Sequence, residues 1–126
     1  CYNPKKPETR LTPITEYGSK AYLEGKKYYP YIGRGFSGLT WEDNYRKEGK
    51  RLNLDLVNSP DLILDIPVAA NSHVWCLTHR TYTGKKISDY INDKKCDYVN
   101  ARRVVNGTDK SQDIAAIAQK FESCLK

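Results

Sequence analysis

The sequence predicts a predominantly α-helical α+β domain spanning residues 1–126, and three features carry that expectation. Apolar residues recur at three- and four-residue steps near the C-terminus. Several earlier segments open on helix-start signals, and the first forty residues are broken by proline and glycine. Periodic apolar stripes mark helices that bury one face, whereas proline removes a backbone donor and glycine loosens the chain. The length of 126 residues fits one domain. A chain of that size buries about two-thirds of the surface its unfolded form exposes, enough for a real core.

The elements follow in order. Pro4, Pro7, Pro13 and Pro30, with Gly18, Gly25, Gly33, Gly35 and Gly38, forbid a long helix over the first forty residues. Within that stretch Tyr28-Tyr29-Pro30-Tyr31-Ile32 is expected to supply a short strand or extended segment. Thr40 is expected to cap a helix whose first turn carries Glu42 and Asp43, acidic groups at the positive end of the dipole. Gly49 should end or weaken it. Ser59-Pro60 reads as an N-cap followed by proline at the first helical position, opening a short turn. Asp65 and Pro67 open another helix running towards Leu77, and Ile87 to Ile91 suggests one more short helix. Asp97 starts a segment through Val105 that Gly107 closes. Asp109 should cap the clearest element, in which Ile114, Ile117, Ala118, Phe121 and Leu125 form one apolar stripe.

Composition excludes several classes. No apolar run approaches the ~18–20 residues that span a bilayer, so no transmembrane segment is expected. The chain carries 21 Lys+Arg against 15 Asp+Glu, a net charge of +6, which attracts anionic partners such as nucleic acid, lipid headgroups or bacterial wall polymers. The basic residues are scattered rather than massed in a stripe, so a nucleic-acid binder is not expected. The chain has no Met and starts at Cys1, which suggests a processed product or a fragment, most simply one that has lost a secretory signal. An extracellular location follows as the expectation. The even set Cys1, Cys76, Cys96 and Cys124 then favours two disulfides, with three pairings open. Alternatively Cys76 is a buried thiol on an apolar helix face, or Cys1 a lipid anchor. His73, Cys76 and His79 lie at three-residue steps. Residues six apart diverge by about 200–240° around a helix, so no metal site, and no cofactor, is expected.

The densest constellation runs Tyr31-Ile32-Gly33-Arg34-Gly35-Phe36-Ser37-Gly38-Leu39-Thr40-Trp41-Glu42-Asp43-Asn44-Tyr45. Its glycines can serve a loop that needs positive φ, and Trp41 and Tyr45 can serve helix packing. Thr40 and Asn44 are four residues apart across a helix start, so a hydroxyl and an amide can face one cleft and hold a water or a sugar N-acetyl group. Tyr28, Tyr29 and Tyr31 can stack on sugar rings or cover the core.

This stretch resembles the signature of plant-type (family 19) chitinases and the related phage endolysins, in which Gly-Arg-Gly precedes a Gln-Leu-Thr/Ser-Trp element and an Asn-Tyr pair. The likeness continues in Asp55-Leu56-Val57-Asn58-Ser59-Pro60-Asp61-Leu62 and in Tyr98-Val99-Asn100-Ala101-Arg102-Arg103-Val104-Val105-Asn106-Gly107. The resemblance implies a lysozyme-like, chitinase-like domain of the monomeric kind. The domain is expected to lack the family's usual N-terminal helical segment, since the seven residues before Glu8, including Pro4 and Pro7, are not expected to build that helix.

It also implies hydrolysis of β-1,4 bonds between N-acetylated sugars by two carboxyls about 6.5–9.5 Å apart, with inversion. Pro13-Ile14-Thr15-Glu16-Tyr17-Gly18 resembles the endolysin element that holds a catalytic glutamate, so Glu16 is the expected base and Glu8 the nearest counterpart of the acid. Thr40 is expected to position the attacking water. Asn44, Asn106, Tyr31, Trp41 and Arg34 are expected at the substrate, with Arg34 and Arg102 as charge partners near the cleft. Positive charge favours anionic peptidoglycan over neutral chitin. Two departures stand out: Glu8 follows Pro7 rather than the family's His, and Gly38 stands where the family has a substrate-binding Gln. They define the alternative of a catalytically inactive glycan-binding or toxin-like protein on the same scaffold.

Overall fold

The computed structural model describes residues 20–126. Helix makes up about 54% of it against one two-stranded sheet, which fits the helix-dominated α+β expectation. The chain divides into two compact units, the first ending at His73 and the second running Val74–Lys126. No helix among the described residues is long and apolar enough to cross a membrane.

In the first unit the described residues of the proline- and glycine-rich stretch hold one five-residue helix, α1 (Lys20–Glu24). Tyr28 to Ile32 forms a turn rather than the expected strand, with the Tyr31 N–H donating to the Tyr28 carbonyl at 2.7 Å. Proline at position 30 offers no N–H to a ladder, so the segment curls on its own carbonyls instead. Helix α2 (Glu42–Leu52) follows. Its cap is Trp41, not Thr40, because the Thr40 hydroxyl turns back to the Gly38 carbonyl at 2.7 Å. Glu42 pairs with Arg46 one turn on, as acidic and basic residues at this spacing do.

Gly49 does not end α2. It lies inside the helix because the following loop crosses it closely: a Cβ there would stand 2.6 Å from the Leu54 carbonyl oxygen. Asn53, in the left-handed conformation at φ 55, closes the helix instead. Gly49→Ala is therefore expected to cost about 1–3 kcal/mol by overpacking, despite alanine's better helix propensity. Urea unfolding checks it; an unchanged or raised midpoint would mean the loop yields freely.

Ser59-Pro60 opens a 3₁₀ turn over Pro60–Leu64, and α3 (Ile66–Thr78) follows directly on Asp65, whose carbonyl accepts from the Ala69 N–H at 2.8 Å, as the sequence predicts. Leu39, Tyr45, Leu56, Ile63, Leu64 and Ala69 form the buried interior of this unit. Glu48 is buried too, and Arg51 grips it through two hydrogen bonds of 2.9 and 2.6 Å while also reaching Asn71. A carboxylate survives burial only when paired in this way.

In the second unit the helix expected over Ile87 to Ile91 shrinks to a 3₁₀ turn, Ile87–Asp89. The chain then forms a hairpin of β1 (Ile91–Asn92) and β2 (Lys95–Cys96), with Ile91 opposite Cys96. Two residues, Asp93 and Lys94, make its turn, a spacing suited to a tight reversal. Asp97 caps α4 (Tyr98–Ala101) by accepting from the Asn100 N–H at 3.0 Å, and a 3₁₀ turn continues through Val104. The last helix, α5 (Ser111–Leu125), is capped by Lys110 in the left-handed conformation rather than by Asp109. No disulfide joins Cys76, Cys96 and Cys124 to one another; Cys76 is buried and the other two are exposed. The expected pairs therefore find no bond among the described cysteines; Cys1 lies outside the described residues.

The apolar stripe of α5 exists but is not buried as a stripe. Ser111 and Ala115 face inward, while Ile117, Phe121 and Leu125 are 53%, 68% and 87% exposed. The stripe sits about 100° round the helix from the inward line, and α4, the helix α5 packs on, is only four residues long. Phe121→Ala and Leu125→Ala should each change stability by less than ~0.5 kcal/mol, whereas Leu56→Ala should cost about 2–5 kcal/mol. A Phe121→Ala loss as large as that of Leu56→Ala would refute the exposed placement.

Candidate functional site

The first unit gathers five of the predicted residues, Tyr31, Arg34, Thr40, Trp41 and Asn44, on one turn and the start of one helix. Arg34 and Leu39 pair as an antiparallel bridge, with N···O distances of 3.1 and 2.8 Å. Between them the chain reverses through Gly35 and Gly38 at φ 73 and 63. Both angles are costly for residues with a Cβ. At Gly35 a Cβ would also press to 3.4 Å from the Ile63 carbonyl oxygen.

Arg34 supports this turn from beneath. Its side chain is only 9% exposed. Its Nε donates to Asp61 at 2.7 Å, and its Nη1 donates to the Pro30 carbonyl at 2.9 Å and to the Tyr45 hydroxyl at 3.1 Å. Tyr45, fully buried, donates in turn to the Ile32 carbonyl at 2.7 Å. Burial outweighs the nearby guanidinium and pushes the Tyr45 hydroxyl up to about 12, so it stays a neutral donor. The expected carboxylate partner of Arg34 is thus found, as Asp61. The guanidinium is spent on holding the loop.

On this base the polar groups form a chain. The Asn44 amide donates to the Thr40 carbonyl at 2.8 Å, and the Thr40 hydroxyl donates to the Gly38 carbonyl at 2.7 Å. A hydroxyl that donates one hydrogen bond still accepts others through its lone pairs, so the Thr40 oxygen can hold a water. Trp41 sits between them at φ 75 with its side chain 51% exposed. Its N–H donates to the Tyr31 carbonyl at 3.0 Å, and Tyr28 meets its indole edge-on at 5.4 Å. A non-glycine residue at positive φ costs on the order of 1–3 kcal/mol and persists only where the surroundings hold it. Tyr31 packs on Tyr45 at 5.4 Å and reaches the Val57 carbonyl, so it belongs more to the scaffold than to the surface.

The same turn carries a pair that sequence reasoning passed over. Ser37 Oγ lies 2.8 Å from His73 Nδ1, and Phe36, 47% exposed, meets the imidazole edge-on at 6.2 Å. Burial lowers the His73 pKa, which keeps the ring neutral near pH 7. No local signal links positions 36 residues apart.

Asn106 and Arg102 belong to the second unit. The Asn106 side-chain Oδ1 accepts from the Gly107 N–H at 2.9 Å, and Arg102 Nε donates to the Asp109 carbonyl at 3.2 Å rather than to a carboxylate. Nearby lies an apolar cavity of about 280 Å³, lined by Ile87, Ile91, Tyr98, Val105, Ile114 and Ala118 among others. Among the described residues no cluster of three or more His, Cys, Asp or Glu side chains could hold a metal ion. Glu8 and Glu16 lie outside the described residues.

Comparison with known proteins points one way. Chitinase 11 of Oryza sativa subsp. japonica is 49% identical over 47 residues, which is 36% of this chain and 18% of that protein. The inactive chitinase-like protein 1 of Hevea brasiliensis is 44% identical over 52 residues, 40% of this chain and 16% of its own. Endochitinase CH25 of Brassica napus is 42% identical over 52 residues, 40% of this chain and 15% of its own. The chain spans less than a fifth of the length of these relatives. No family model matches, and no solved structure matches. Over the matched segment the chain is chitinase-like.

Proposed function

We propose that this chain belongs to an inverting glycoside hydrolase that cleaves β-1,4 bonds in GlcNAc-containing polysaccharide, in the manner of family 19 chitinases and phage endolysins. The observation that carries the reading is the Thr40–Asn44 arrangement: a hydroxyl and an amide in one hydrogen-bonded chain, on a turn held by a buried arginine. In this reading Glu16 takes a proton from water that Thr40 positions. Glu8, as acid, protonates the leaving oxygen, and Asn44 holds an acetamido group. Trp41 offers an exposed ring face to the sugar. The charge of +6 favours peptidoglycan, an anionic wall polymer, over chitin. Such a substrate places the action outside the cell, by a secreted monomer.

The alternative is a glycan-binding protein without turnover. The space at Gly38 favours it: no atom of the described residues beyond its chain neighbours lies within 4 Å of where a side chain would begin, and glycine supplies none to the substrate.

The test is release of reducing ends from peptidoglycan and from chitotetraose, with the anomer of the product read by NMR. Hydrolysis with inversion, and an Asn44→Ala variant whose KM rises about ten-fold with a smaller change in kcat, are expected for a lost hydrogen bond to bound sugar. Retention of configuration would overturn the mechanism. Binding of chitotetraose without turnover would establish the alternative.

A further inference from the structure

Resting on that reading of the Thr40 turn as a saccharide site, we infer that Phe36, Ser37 and His73 form an additional subsite for a neutral pyranose beside it. Three observations point there. Phe36 is a large apolar ring at the tip of the turn, 47% exposed and met edge-on by His73. A pyranose has an apolar C–H face, and an exposed aromatic ring with few polar groups around it is the surface such a face covers. The Ser37–His73 contact of 2.8 Å sets polar atoms at the edge of that ring. With the Ser37 hydroxyl donating to Nδ1, the Nε2–H remains as a donor and the serine oxygen as an acceptor. Both suit sugar hydroxyls. Finally, Gly38 follows Ser37 directly with open space where a side chain would stand, and its carbonyl accepts the Thr40 hydroxyl. The subsite is thus continuous with the Thr40 group along one turn.

The chemistry selects the ligand class. His73 is neutral, and its ring and the serine hydroxyl carry no formal charge, so the site offers nothing to a phosphate or carboxylate that water does not offer better. Two neutral hydrogen-bonding groups beside an aromatic ring match an uncharged sugar. The pair also stands next to Gly38, where the family resemblance places a side-chain amide, and supplies polar atoms from the adjoining residue instead.

The experiment is calorimetric titration of the whole chain with chitotetraose, for wild type, Phe36→Ala, Phe36→Tyr, His73→Phe and Asn44→Ala. Phe36→Ala should weaken binding about ten-fold, the loss expected of one aromatic contact, while Phe36→Tyr stays within about two-fold of wild type. His73→Phe, which keeps a ring but removes both nitrogens, should weaken it several-fold. Thermal midpoints should stay at the wild-type value for both Phe36 variants, because that ring is half exposed. Phe36→Ala and His73→Phe binding like wild type while Asn44→Ala binds weakly would overturn the subsite and leave the Thr40 site standing. No binding by wild type would overturn both. Equal losses for Phe36→Ala and Phe36→Tyr, with lowered midpoints, would show a structural role and overturn the subsite.

Discussion

Arg34→Met is expected to destabilise the first unit by about 3 kcal/mol and to loosen the turn that carries Thr40. The loss comes through the acceptors rather than through the ion pair. Asp61 is 65% exposed, so water replaces the guanidinium there, and a solvated pair of that kind is worth about 1 kcal/mol at most. The Pro30 carbonyl and the Tyr45 hydroxyl are different, for both take their hydrogen bond from the same Nη1 of a buried side chain. The Tyr45 hydroxyl is fully buried, and a buried acceptor left without a donor costs about 1–3 kcal/mol, while the Pro30 carbonyl sits on an exposed residue and adds less. Lysine should recover less than half of the loss, since one ammonium cannot reproduce a planar fork with separate Nε and Nη1 directions. Urea unfolding of Arg34→Met, Arg34→Lys and Asp61→Asn measures the three terms. An Asp61→Asn loss as large as that of Arg34→Met would mean the ion pair dominates, and the account from buried acceptors would fall.

Glu16→Gln is expected to lower turnover of chitotetraose about 10²- to 10⁴-fold while leaving its binding within about two-fold. Glutamine keeps the size and one acceptor oxygen of glutamate, but its amide cannot take a proton from water near neutral pH. A general base removed this way costs rate without costing ground-state contacts. Thr40 cannot substitute, because its hydroxyl is bound to the Gly38 carbonyl and is no base itself. Turnover surviving the substitution would remove Glu16 from the base's role. A parallel loss of binding would make it a substrate contact instead.

The residues bearing on these two expectations were legible to different degrees. Asp97 as a cap and Ser59-Pro60 as the start of a turn could be read from sequence, because capping acts within a few residues of itself. The Gly33-to-Asn44 motif and its chitinase likeness were legible for the same reason, being contiguous. Boundaries were less so. The start of α2 moved from Thr40 to Trp41 when a side chain preferred a carbonyl two residues back. The Ile91–Cys96 hairpin escaped notice because two-residue strands leave no alternation to see.

Most of the helices, a chitinase likeness over part of the chain and its cationic charge were readable from the residues alone. These rest on short-range steric and hydrogen-bonding preferences and on charge, which need no partner. The tertiary structure alone decided that Gly49 stays helical beneath the Leu54 carbonyl and that Arg34 faces inward to Pro30 and Tyr45. It alone turned the Phe121 side of α5 to solvent and brought Ser37 to His73. Burial and long-range contacts depend on which surfaces meet, and a periodic stripe says that a face is apolar without saying what, or whether anything, will cover it.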